Sequence, residues 1–242
     1  MIHYHGVSNS GSVKDTIRLV KGRHAFVSYA NAARLPIVAE LSQSFALDNG
    51  AYSAWKGKKD FDFDGFVEFV DKWGRHPACD FVVIPDVIDG TEEENDEMLD
   101  RFPSRFAHIG APVWHLHESL DRLKRLIGYR TVCLGSSGEY GSPKTAKWWS
   151  RINEAMSVIT DDLGRPYCKL HGLRMLDPNV FTKLPLSSAD STNAERNGLY
   201  EKRFGNYIPS TRGQRSEVIA DRIESHQSSD VFVPINQQLH FL

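Results

Sequence analysis

Cysteine is scarce in this chain: only Cys79, Cys133 and Cys168 occur in 242 residues. They lie far apart, with no Cys-x-x-Cys or Cys-x-His pairing, which argues against a thiolate zinc site. Each sits beside or within an apolar run, so buried free thiols are expected, and free thiols favour a reducing compartment. The chain also lacks an excess of one charge. Its formal net charge is −2, so no global basic field advertises nucleic acid, and any such binding must come from local patches. No apolar run reaches the length of a membrane span, and Met1-Ile2-His3-Tyr4-His5 has neither a basic n-region nor an apolar h-region. A soluble, cytoplasmic protein is expected. No linker, low-complexity segment or internal repeat interrupts the sequence.

What is present is a regular alternation. Hydrophobic residues make up 40% of the chain, enough for a full core in one domain over residues 1–242. Short apolar, β-branched or aromatic runs predict strands at Ile2 to Val7, Ala25 to Tyr29, Ser44 to Leu47, Asp80 to Ile84, Pro112 to Leu116, Thr131 to Leu134, Tyr167 to Leu170 and Leu184 to Ser188. Helical patterns at Asp64 to Trp73, Glu92 to Phe102, Leu120 to Ile127 and Ala146 to Ile159 lie between them. Strand, helix, strand repeated about eight times predicts parallel pairing and a single (β/α)8 barrel. A helical C-terminal extension follows from about residue 199 to 242, clearest at Arg215 to Ile223.

Barrel enzymes carry their chemistry at the C-terminal ends of the strands. The groups there are Asp48, Asp86, His115, His117, Gly135 to Gly138, His171 and Asp190, scattered in sequence but brought by such a fold to one mouth. Asp48 opens Asp48-Asn49-Gly50, which is also a sound turn signal in its own right. Asp190 follows the short apolar run Leu184-Pro185-Leu186 and precedes a polar turn and a helix start. Two carboxylates at two strand ends suit chemistry at an acetal-like carbon, one attacking or stabilising the centre while the other handles protons. A loop reading Tyr52-Ser53-Ala54-Trp55-Lys56-Gly57-Lys58-Lys59 interleaves aromatics with lysines, as phosphate neutralisation and base stacking require. Lys144, Lys147, Trp148, Trp149 and Arg151 form a second such cluster, for which core tryptophans under a solvated face are the plain alternative.

The segments Asp48-Asn49-Gly50-Ala51-Tyr52-Ser53, Leu134-Gly135-Ser136-Ser137-Gly138-Glu139 and Asp190 with Asn193-Ala194-Glu195-Arg196-Asn197-Gly198 resemble the tRNA-guanine transglycosylase family. The resemblance runs from about Phe45 to Gly198 and is loose outside the two Asp turns. It is closest to the compact phage and bacterial relatives that exchange 7-deazaguanine bases into DNA. It implies Asp190 as the nucleophile that holds the sugar covalently and Asp48 as the acid/base. It further implies base contacts from Asp86, His115, His117, Gly135, Ser136, Gly138 and His171, with His115 or His117 near a position where the family places a glutamine. The nucleic-acid path it suggests takes in Tyr52, Trp55, Lys56, Lys58, Lys59, Lys144, Lys147 and Arg196.

The family's tRNA enzymes carry a cysteine-rich zinc site after the nucleophile, and this chain has no cysteine beyond Cys168. That departure and the short chain favour the DNA-acting branch, with no metal and no cofactor. The expected partners are DNA, single-stranded or with a flipped base, and a free 7-deazaguanine-type base. Were water to replace the incoming base, the same carboxylates would make a hydrolytic DNA glycosylase that leaves an abasic site, suited to repair or to attack on modified phage DNA. A separate reading joins His3-x-His5, His115-x-His117, His171 and Asp190 into the metal centre of an amidohydrolase-like enzyme.

Overall fold

The computed structural model describes residues 1–234; the last eight residues of the expected C-terminal extension lie outside the described residues. Among the described residues there are nine strands: β1 (Ile2–Val7), β2 (His24–Ser28), β3 (Ser44–Asp48), β4 (Cys79–Val83), β5 (Gly110–Ala111), β6 (Val113–His115), β7 (Thr131–Gly135), β8 (Lys169–Gly172) and β9 (Ser188–Ser191). Every pairing is parallel, in the order β5-β4-β3-β2-β1-β9-β8-β7-β6.

Nine strands make eight staves. Only Pro112 separates β5 from β6, and a proline has no N–H to give to a ladder. Residues Gly110 and Ala111 pair with β4, while Val113 to His115 pair with β7. Pro112 still accepts the Cys133 amide at 2.8 Å. One stave thus joins both ends of the sheet with the stagger that a closed barrel requires. The result is the α/β barrel expected from the alternation of strands and helices.

Strand parity decides what faces the axis. Tyr4, Phe26, Ala46, Phe81, Val83, Ala111, Val113 and Cys133 point inward and pack together as the barrel interior. Their neighbours, such as Val27, Leu47, Val82, Leu134, Leu170 and Ala189, point outward into two apolar layers beneath the helices. The interior is a packed plug rather than a pore, and near its floor the Tyr4 hydroxyl donates to Asp80 Oδ2 at 2.5 Å.

The helices are α1 (Val13–Val20), α2 (Leu35–Leu41), α3 (Ala51–Lys56), α4 (Phe63–Trp73), α5 (Glu92–Arg101), α6 (Leu120–Leu126), α7 (Ala146–Ile159), α8 (Pro178–Phe181), α9 (Asn193–Asn197) and α10 (Arg212–Glu224). Capping boxes start three of them: Ser12 with Asp15, Thr91 with Glu94, and Thr211 with Gln214. Each such pair satisfies two amides that the first helical turn leaves open. Helix α10 packs on α1, α9 and β1, so this part of the expected extension belongs to the barrel's own helix layer. The last two strands begin later than predicted. Pro166 and Pro185 lie in the approaches, and the ladder starts only at Lys169 and Ser188. No helix among the described residues is long and apolar enough to cross a membrane.

Of the cysteines, Cys133 is buried and Cys79 and Cys168 are half-buried. Burial pushes the Cys79 thiol up to about 12 and the Cys168 thiol up to about 11, so neither is poised as a nucleophile.

Candidate active site at the barrel mouth

The inward positions at the tops of the staves are Ser28, Asp48, His115, Gly135 and Asp190, and they line one cavity of about 390 Å3. Asn49, Asp86, Tyr52, Arg174 and Arg196 are also in its wall. Its volume lies near the lower end of the range for small-molecule sites.

Asp48 ends β3, and Gly50 follows at φ 82°, a left-handed turn that glycine adopts without strain. The Gly50 amide donates back to Asp48 Oδ2 at 3.2 Å, so the turn role and the pocket role coexist in one residue. Burial is the main influence on the Asp48 carboxyl. The charges of Asp190 and Asp86 add to it, and together they outweigh the Ser28 hydroxyl and the Gly50 amide, raising the group to about 6. This is the position of a proton donor and acceptor near neutral pH.

Asp190 is held differently. It is 5% exposed, and its Oδ1 accepts the Arg174 amide at 2.8 Å. The His171 Nε2 lies 3.4 Å from the same oxygen. Arg174 reaches this position only at φ 58°, a left-handed conformation that strains a residue with a side chain. Its guanidinium donates to Ser136 O at 2.8 Å and covers the Tyr52 ring at 4.4 Å. Arg174 therefore joins the β7, β8 and β9 ends to α3. No local pattern in the sequence marks it.

Asp86 is a hub. Asn49 Nδ2 donates to its Oδ1 at 2.7 Å, and also to Ile84 O at 2.8 Å. His115 Nε2 meets its Oδ2 at 2.8 Å. Both oxygens thus already have a protein partner, and one lone pair on each is left for a ligand. Asn49 was legible in the sequence only as a turn residue. In the structure its Oδ1 accepts the Ala51 amide at 2.7 Å while its amide group positions Asp86.

Several predicted base contacts have other roles. Gly135 is small because His115 packs on it: a Cβ there would lie 3.0 Å from His115 Nδ1. His171 is fully buried below the cavity, stacked on Phe26 at 5.2 Å and edge-on to Phe81 at 5.0 Å. Its Nδ1 pairs with the Ser188 hydroxyl at 2.8 Å, so it supports Asp190 from beneath rather than reaching a ligand. His117 is exposed beyond the end of β6, tied to Ser137 Oγ at 2.9 Å and Gly90 O at 3.2 Å. Gly138 is exposed at φ 52° and serves the turn. Ser136 does line the cavity, and its hydroxyl accepts Trp148 Nε1 at 2.9 Å.

The expected aromatic-lysine loop is the helix α3, which brings Tyr52 and Trp55 onto one face with ring centroids 5.6 Å apart. Tyr52 and Lys56 line the cavity, whereas the exposed Trp55, Lys58 and Lys59 lie outside it. In the second basic cluster the side chains have protein partners. Lys144 pairs with Asp177 at 2.5 Å, Lys147 pairs with Glu139, and Trp148 is a fully buried core residue. Arg151 is turned to the Leu116 and Glu118 carbonyls, at 2.8 and 2.5 Å.

The histidine constellation does not form. On β1, His3 and His5 have outward parity: His5 Nε2 meets Glu224 of α10 at 2.8 Å, and His3 Nε2 meets His226 O at 2.9 Å. His171 points inward, so the wall of the barrel separates it from that pair. Among the described residues no three His, Cys, Asp or Glu side chains are grouped to hold a metal ion. The chain matches no known protein-family model, and no curated protein matches its sequence.

Proposed function

We propose that this protein cleaves the N-glycosidic bond of a nucleotide in DNA and exchanges the base for a 7-deazaguanine. The observation that carries the reading is one cavity with two inward carboxylates held in unlike environments. Asp48 is raised to about 6, and Asp190 is anchored by the Arg174 amide. A raised carboxyl beside a second carboxylate held by a backbone amide lets acid and nucleophile roles be divided between them. The resemblance of the Asp48 and Asp190 turns to the transglycosylases supplies the substrate class.

In the first half-reaction an Asp190 oxygen attacks the sugar C1′. The C1′–N bond breaks with its electron pair on the base, and the proton of Asp48 neutralises the leaving nitrogen. The sugar is then esterified to Asp190. In the second half-reaction Asp48 takes a proton from the incoming heterocycle, whose nitrogen attacks C1′ and releases the Asp190 carboxylate. The free lone pairs of Asp86 accept N–H groups of the base, and Tyr52 offers a face for stacking. A cavity of this size at a barrel mouth requires the nucleotide to leave the stack.

One observation favours hydrolysis as a second reading. Asp86 is already engaged by Asn49 and His115, which weakens it as a specific reader of an incoming base. Water would then resolve the ester and leave an abasic site, as in a glycosylase acting in repair or on modified phage DNA.

A labelled-DNA assay separates the readings, using plain duplex, single strands and hypermodified phage DNA with and without added 7-deazaguanine. Exchange yields incorporated base and alkali-stable strands. Alkali-labile sites without a base donor would establish the glycosylase instead. Asp190→Asn should abolish base release while DNA binding persists, because only the transition state needs the carboxylate. A variant retaining a tenth of wild-type turnover refutes the nucleophile assignment.

A further inference from the structure

Beside the mouth lies a second cleft, of about 740 Å3. Its wall includes Arg174, Arg196, Asn197, Tyr200, Lys202 and Arg203. Arg174, Ser191, Thr192 and Arg196 line both cavities, so the cleft adjoins the carboxylate pocket. We propose that this cleft is the binding track for the phosphodiester backbone of the strand whose nucleotide enters the mouth. The inference rests on the nucleotide reading of the mouth.

Charge carries the argument. The chain as a whole is slightly negative, yet four cationic side chains converge here against one carboxylate, Asp177. That carboxylate is already committed: its Oδ2 holds Lys144 at 2.5 Å and its Oδ1 accepts the Asn179 amide at 2.9 Å. Glu195, next to Arg196 in the chain, is turned to the Ser8 hydroxyl at 2.8 Å and to Arg212 at 3.6 Å. Glu201 lies within the same short segment as Lys202 and Arg203. It turns away to Arg215, with Nη1 to Oε1 at 3.3 Å. Among the described residues, no ion pair engages Arg196, Lys202 or Arg203. Unpaired cations held together repel one another, and an anion relieves that repulsion.

The segment is also held in place. Arg215, 8% exposed, donates to Gly198 O at 2.7 Å and to Pro209 O at 2.9 Å, clamping both ends of the stretch that carries Tyr200, Lys202 and Arg203. The exposed Tyr200 ring adds a stacking face beside the cations, a combination that suits a single strand better than an isolated anion. Two of the lysines expected on the nucleic-acid path, Lys144 and Lys147, are ion-paired with Asp177 and Glu139. These cations are not.

The test compares wild type with the Lys202→Ala/Arg203→Ala double variant, neither residue lining the carboxylate pocket. Fluorescence anisotropy would follow a twenty-nucleotide oligodeoxythymidine between 50 and 200 mM salt, with oligouridine and polyglutamate of similar charge as parallel probes. Two lost phosphate contacts, at about 0.7 each for single strands, should flatten the log–log salt slope by about 1.4. Across that fourfold salt range the two contacts account for about a sevenfold change in affinity. Base release at saturating DNA should be unchanged and the KM for DNA raised. Tighter binding of the deoxy or the ribo strand would identify the sugar, and either supports the track.

Unchanged slope and affinity in the double variant, with wild type binding normally, overturns this cleft and leaves the N-glycosidic reading standing. Polyglutamate binding as tight as DNA overturns the track in favour of an acidic polypeptide. Wild type that binds neither nucleic acid at 50 mM salt overturns the track and the nucleotide reading together.

Discussion

Replacing Asp48 with asparagine should stabilise the fold, and only where Asp48 is ionised. The carboxyl is raised from 3.8 to about 6 by burial and by the charges of Asp190 and Asp86. Between those values the folded protein keeps a proton that the unfolded chain has released. Stability contributed by this group is therefore present in full below about pH 4 and lost as pH rises through about 6. At about 1.4 kcal/mol for each pH unit, the loss reaches about 3 kcal/mol above pH 7. This is an upper bound, because Asp48 opens onto the pocket and solvent screens part of it. Asparagine keeps the shape and an oxygen for the Gly50 amide but carries no charge.

Thermal unfolding of wild type and Asp48→Asn at pH 7.5 and pH 4 reads the effect. For a chain of this length 1 kcal/mol corresponds to about 2–4 °C in Tm. The variant should melt up to about 12 °C higher at pH 7.5 and level with wild type at pH 4, while losing base release. Such a gain in stability with a loss of function is characteristic of a strained site. Equal differences at the two pH values, or a variant less stable at pH 7.5, would refute the electrostatic account of Asp48.

Other outcomes follow from the same contacts. Lys144→Ala/Lys147→Ala should leave DNA affinity within about twofold of wild type in a titration, because both ammonium groups are already paired. Trp148→Ala, which empties a fully buried site and removes the bond to Ser136, should lower the urea-unfolding free energy by about 3–5 kcal/mol. Gly135→Ala should push the His115 ring off Asp86, reducing base release on the order of tenfold while Tm changes little.

Much of this molecule was legible from local pattern. Alternation along each strand depends only on the backbone pleat, so once the strands at Ile2 to Val7 and Ser44 to Leu47 are placed, which of their residues share a face follows from spacing alone. The same parity turns His3 and His5 outward, which is why a metal centre shared with His171 does not form. The Asp48-Asn49-Gly50 turn likewise follows from side-chain chemistry and a glycine at positive φ. Tertiary structure decided what depends on depth and on distant partners. His171 lies below the cavity rather than in it because β8 begins at Lys169, later than its apolar run suggests. The raised Asp48 carboxyl needs Asp190 and Asp86 as neighbours, both remote in the chain. The Arg174 amide reaches Asp190 only across the joined ends of β8 and β9. Lys144 and Lys147 read as free cations in sequence, and the fold pairs them. Lys202 and Arg203 sit beside an acid in sequence, and the fold turns that acid away to Arg215. Residue type and spacing set what each side chain can do. Barrel closure sets which charges meet, because it brings together residues that no local interaction links.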